Sequence, residues 1–121
     1  AFSENNIPYK QEVDVFWVAG AYEIPYMCLK CARSGSYDGI VTLGCVIRGE
    51  TPHFDYICLE SSRGIMAVSL KEFLPIVNGV LTTDTEDQAI ARSSSGYSNK
   101  GYQVTIALLD LIFESEKVSG K

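Results

Sequence analysis

Apolar positions along the chain follow two alternating periods. Val13 to Val18, VDVFWV, is dense in β-branched and aromatic residues and predicts a buried strand. Gly39 to Ile47 and Leu74 to Leu81 repeat the pattern, each followed by a polar turn. Between these runs the period lengthens to that of a helix. Ile24, Met27, Cys28, Cys31 and Ala32 recur at helical spacing, Pro25 suits a first turn, and Ser34-Gly35 provides a stop. Phe54, Ile57, Cys58, Ser61 and Ile65 predict a second helix. Val104, Ala107, Leu108, Leu111 and Ile112 predict a long one opening near Asn99, and a shorter helical piece runs from about Glu86 to Arg92 with Thr83 or Asp84 as its N-cap.

Strand followed by helix, three times over, implies a parallel sheet covered on both faces: an α/β fold, a three-layer α/β/α sandwich. With 121 residues and 46% hydrophobic content, one domain over 1–121 is expected. Ligands of such sheets bind at the carboxyl ends of the strands. That selects three connections: Ala19 to Glu23, Arg48 to His53, and Thr82 to Asp84. His53 is the only histidine in the chain, and it falls in one of them. A loop at a strand tip can hold an imidazole beside a ligand; the competing reading is an exposed residue opening a helix.

Charge and cysteine content narrow the chemistry. Ten Lys plus Arg against 15 Asp plus Glu leave a net charge of -5, which argues against a nucleic-acid partner. No apolar run reaches membrane-span length, and AFSENNIPYK lacks the layout of a signal peptide, so no membrane partner and a cytoplasmic location are expected. Cys28 and Cys31 form a CxxC inside a predicted helix, with no second CxxC or paired histidine; with Cys45 and Cys58 they read as small buried apolar side chains, and no metal is expected. The glycine-rich dinucleotide fingerprint, the phosphate loop and the GxSxG elbow are all missing from the sequence. Arg92, the connection SSSGYSNKG and Lys100 at a helix start form a candidate anion or phosphate site. On composition alone a solvated flexible loop accounts for them equally well.

VAGAYEIP (Val18 to Pro25), GCVIRGETPHFDY (Gly44 to Tyr56), NGVLTTDTEDQAIAR (Asn78 to Arg92) and NKG (Asn99 to Gly101) together resemble the signature blocks of the 6,7-dimethyl-8-ribityllumazine synthase family. The resemblance runs in order from about Val13 to the last helix. It implies a flavodoxin-like fold and a cofactor-free reaction in riboflavin biosynthesis. In that reaction 5-amino-6-ribitylamino-uracil condenses with 3,4-dihydroxy-2-butanone 4-phosphate: the amine and ketone form an imine, phosphate leaves, and the ring closes with loss of water. It implies that His53 shuttles protons and that Arg92 grips the substrate phosphate, helped by the backbone at Glu50 and Thr51, with Lys100 beside the same site. Glu23 would hold the ribityl hydroxyls, Ala21 and Tyr22 would line the pocket, and the backbone at Val46 and Ile47 would hydrogen-bond the pyrimidine. It further implies a homo-oligomer, pentamer, decamer or icosahedral cage, with active sites shared between subunits.

Two departures from the family pattern stand out. Asn78 occupies a position where many members carry a phenylalanine that packs on the substrate; asparagine would instead hydrogen-bond the pyrimidine or ribityl side. The family also begins with a strand that lies between those at Val13 and Gly39, and AFSENNIPYK resembles only the tail of the helix after it, so further residues are expected before Ala1. Without that strand, two apolar edges would be left unpaired. Two other readings stay open: a non-catalytic cage-forming or flavin-binding relative, and a flavodoxin-like receiver domain, whose acidic cluster Asp84, Glu86 and Asp87 supplies only in part.

Overall fold

A computed structural model describes residues 1–5, 7 and 12–120. Helix α1, Ile24–Ser34, has Pro25 at its opening, where the missing N–H is not needed, and it ends at Gly35, whose φ of 71° is the left-handed stop the sequence announces. Helix α2, His53–Glu72, is longer than expected and begins one residue earlier, directly after Pro52 at φ -69°. His53 therefore opens a helix instead of lying in a loop, because proline holds a helix-compatible φ at the point where the chain turns in. Helix α3, Glu86–Ser93, is capped by Thr85 and not by Thr83 or Asp84. The Thr85 hydroxyl accepts the Gln88 N–H at 3.2 Å, while Gln88 Oε1 accepts the Thr85 N–H at 3.3 Å, a reciprocal capping box. Thr83 is still in the strand and donates its hydroxyl to the Thr85 carbonyl. Helix α4, Lys100–Val118, opens where expected, with Asn99 Oδ1 accepting the Tyr102 N–H at 2.9 Å.

Strands β1, Ile40–Ile47, and β2, Ile76–Thr83, pair in parallel, from Ile40 opposite Ile76 to Ile47 opposite Thr83. β2 begins and ends two residues later than the sequence pattern proposed. The third expected strand is a correction: among the described residues the sheet has two strands, and Val13 to Val18 belongs to neither. Its β-rich composition fits a pleated, half-buried surface, and such a surface forms only beside a hydrogen-bonding neighbour. Lacking one, Val15, Phe16 and Trp17 stay exposed, Trp17 by 89%. A 3-10 turn spans Ser3–Asn5, tied to α4 by the Tyr102 hydroxyl donating to Glu4. The rest of the expected helix tail, over 6 and 8–10, lies outside the described residues.

Consecutive strand residues point to opposite faces, which orders the layers. Val80 packs with Ile24, Cys28 and Ile65, so α1 and α2 cover one face. A Cβ at the preceding Gly79 would come within 3.1 Å of Val104, so α4 covers the other. The result is the expected layered α/β architecture with a parallel sheet. Between α1 and α2 the approach is close: a Cβ on Gly64 would lie 2.6 Å from Cγ of Pro25, leaving room only for glycine. Burial pushes the Cys28 thiol up to about 11, with Cys31 adding to it, which makes it a poor nucleophile.

Cys45 departs from the expectation of burial: it is exposed. It shares a face of β1 with Leu43 and Ile47, which are also exposed. Leu108 and Ile112 of α4 meet this face at Gly39, and Gly101 meets it at Leu43. Cys45 and Ile47 lie beyond the first residue of the helix.

Candidate active site

The ends of the two strands are fastened together. The Arg48 N–H donates to the Thr83 carbonyl at 2.8 Å, extending the parallel ladder one residue past β1. The Arg48 guanidinium then reaches across: Nε donates to Asp84 at 2.7 Å, one terminal nitrogen pairs with Asp55 at 3.4 Å, and the group lies 4.4 Å from the centre of the Phe54 ring. The hydrogen bond to Asp84 raises the Arg48 pKa above the ordinary arginine value, and Asp55 adds to this against the opposing effect of desolvation. Beside it opens a cleft of about 320 Å³, lined by Arg48, Phe54, Cys58, Thr82, Thr83, Asp84, Gln88 and Arg92.

A larger cleft of about 660 Å³ adjoins it and shares Thr82 and Arg92. Its lining includes Asn78, Lys100, Ser98 and Gln103. Neither Arg92 nor Lys100 forms an ion pair among the described residues. Lys100 is the first residue of α4, where the positive end of the helix dipole adds to its charge. The serine- and glycine-rich connection between the two cations is tied down. Asn99 Nδ2 donates to the Ser94 carbonyl at 2.9 Å, and Gln103 Nε2 donates to the Tyr97 carbonyl at 3.1 Å. Asn78 Oδ1 accepts the Val80 N–H at 3.0 Å, which leaves the amide nitrogen of Asn78 as a donor.

Of the residues singled out in the sequence, the fold brings Asn78, Arg92 and Lys100 to one lining. Ala21, Tyr22 and Glu23 form a single 3-10 turn leading into α1; Ala21 packs on the core, and Tyr22 and Glu23 are exposed. Val46 packs on the same core, and Ile47 ends β1 exposed. Glu50 and Thr51 are exposed, and Thr51 Oγ1 accepts the His53 N–H at 3.4 Å. His53 is exposed too. None of these eight residues lines either cleft. Ser98, from the serine- and glycine-rich connection singled out in the sequence, does line one, whereas sequence reasoning missed Phe54, Cys58, Val80, Leu81, Gln88 and Gln103 as lining residues. Gln88 carried a local signal in the T-x-x-Q spacing of its capping box, and Gln103 in its i,i+3 spacing from Lys100.

The site therefore runs from the carboxyl ends of the parallel strands back along β2 and, among the described residues, holds two cations outside any ion pair beside the Asn78 amide. A model of the 6,7-dimethyl-8-ribityllumazine synthase family matches residues 2–116 of the 121-residue chain. That match covers both strands, the four helices almost to the end of α4, and every candidate site residue. The chain belongs to the lumazine synthase family, transferases of riboflavin biosynthesis.

Proposed function

We propose that the protein condenses 5-amino-6-ribitylamino-uracil with 3,4-dihydroxy-2-butanone 4-phosphate to 6,7-dimethyl-8-ribityllumazine. The observation that carries this reading beyond family membership is the pair Arg92 and Lys100: two cations without carboxylate partners among the described residues, on one cleft that runs along β2 from Asn78 to Thr82. Such a pair suits a phosphate-bearing substrate, with Arg92 offering a planar fork to its oxygens. The amide nitrogen of Asn78 donates to the pyrimidine or ribityl side. Glu23 takes the ribityl hydroxyls, Ala21 and Tyr22 close the pocket, and the backbone at Val46, Ile47, Glu50 and Thr51 completes the two substrate sites.

Attack of the pyrimidine amine on the ketone gives an imine with loss of water. Phosphate is then eliminated, and the ribitylamino nitrogen closes the second ring with loss of another water. Protons must move at each stage, and the His53 imidazole, which can both donate and accept one, transfers them. Phosphate is already a tolerable leaving group, so holding two substrates in register supplies most of the acceleration, an effect worth up to ~7–11 kcal/mol in ideal cases.

The protein acts as a homo-oligomer, a pentamer or a larger assembly of pentamers, with sites completed across subunits. Tyr22, Leu43 and Trp17, 61%, 63% and 89% exposed, supply apolar surface for such contacts. The test is lumazine formation from the two substrates by the purified assembly. Turnover is expected, and His53→Ala is expected to slow it roughly 10–1,000-fold with assembly retained. No product from the wild-type chain, or undiminished turnover by the variant, overturns the reading or the role of His53 respectively.

A further inference from the structure

Locally, the first turn of α2 is held by its own backbone and by one long bond, from the His53 N–H to Thr51 Oγ1 at 3.4 Å. Its N-cap, Pro52, makes no side-chain cap hydrogen bond, and the His53 ring forms none among the described residues. The placement of the imidazole thus depends on the backbone of a helix start that would ordinarily fray. Arg48 occupies the position from which that start can be held. Its guanidinium lies over Phe54, a buried ring next in sequence to His53, and pairs with Asp55 in the same turn. On its other side it bonds Asp84, whose N–H donates to Gln88 Oε1 at 2.9 Å. Gln88 belongs to the capping box of α3, and Arg92 follows one helical turn later. A continuous line of contacts therefore runs from the turn of His53, through Arg48 and Asp84, to the helix of Arg92.

We propose that Arg48 is a positioning residue, which holds the first turn of α2, and with it His53, in register with the tip of β2 where the helix carrying Arg92 begins. Direct anion binding is the competing role for an arginine at this cleft. Two carboxylates already face its guanidinium, at 2.7 and 3.4 Å, so an incoming phosphate would meet a cation whose charge is already offset, and their repulsion. Arg92, without such partners, is the better anion ligand. The inference rests on the reading of His53 as the proton shuttle.

Three variants and two readouts test it. In the assembled enzyme, Arg48→Gln should lower turnover on the order of 10–100-fold, the scale of a misplaced catalytic group, with the Michaelis constants of both substrates nearly unchanged. Arg48→Lys keeps the charge and loses the fork, so it should recover part of the loss. Asp84→Asn, which weakens the other end of the clamp, should lower turnover in the same way but less. Because His53 is the only histidine, a ¹³C-labelled histidine gives one ring signal, which should shift or broaden in Arg48→Gln relative to wild type. A raised Michaelis constant for the phosphate substrate at unchanged turnover would overturn the proposal in favour of direct binding. An unmoved ring signal with wild-type turnover would overturn it altogether. If Arg48→Gln does not assemble, Arg48→Lys and Asp84→Asn decide by the same criteria. An inactive wild-type protein would refute the proposed reaction alone, since the ring signal still reports whether Arg48 holds the turn.

Discussion

Arg48 and Arg92 line the same cleft, yet their surroundings differ in kind. Arg48 sits between two carboxylates and an aromatic face; Arg92 has no ion-pair partner among the described residues and shares its second cleft with Lys100. A cation that is already neutralised organises the protein around it. A cation left unneutralised beside another is electrostatically unfavourable until an anion arrives, so it favours binding one. In the proposed reading, the same residue type serves positioning after β1 and substrate capture at the end of α3, and neighbouring charges decide which.

The largest expected effect concerns where the capture side finds its partner. Within one chain, Arg92 reaches the cleft of Phe54, but the cleft with Lys100 and Asn78 lacks His53 and Glu23. If that larger cleft is completed by a neighbouring subunit, mixing unfolded His53→Ala and Arg92→Ala chains and reassembling them should raise activity from background to a readily measured fraction of wild type. Mixed assemblies that form and remain inactive would place the whole site in one chain.

Next in size is Arg92→Ala itself. Losing charge-assisted hydrogen bonds of about 1.5–3 kcal/mol should raise the Michaelis constant for the phosphate substrate roughly 10–150-fold, with little change for the pyrimidine. Steady-state kinetics with each substrate varied in turn would show it. Equal effects on both substrates would erase the contrast with Arg48 by making Arg92 structural as well.

The smallest effect lies between the two arginines. Thr85→Ala removes one half of the capping box of α3 and should lower stability by about 1 kcal/mol, read from the urea midpoint. Because Gln88 also accepts the Asp84 N–H, the same variant should loosen both arginines slightly, less than either arginine substitution alone. A turnover loss as large as that of Arg48→Gln would mean that the cap, and not the arginine, holds the clamp.

Much of the helical framework was legible because its signals are local. Pro25, Gly35 and Asn99 mark helix ends through the geometry of their own few bonds, and the structure puts ends at or beside each. The T-x-x-Q box at Thr85 was equally local and was misread by one or two residues, since Thr83 and Asp84 are also good capping types. Arg92, Lys100 and Asn78 stood out in the sequence and do meet at one cleft. Ser98 lies in the connection the sequence singled out, and Gln103 stands at i+3 from Lys100 on one helix face, a spacing that gains meaning only once β2 is packed beside it.

By itself, the sequence determined the alternation of strand and helix, the parallel pairing that alternation demands, and the family, since these follow from side-chain periodicity and residue order. Tertiary structure alone decided the rest. Val13 to Val18 has the composition of a strand but, among the described residues, no neighbour to bond, and a strand exists only as part of a ladder. Cys45 is exposed because α4 begins at Lys100 and leaves that end of β1 uncovered. The partners of Arg48 lie 36 residues away at Asp84 and seven residues away at Asp55, and only the parallel register of β1 and β2 brings the first of them within reach. Charge neutralisation depends on distances in space, and those are set by packing.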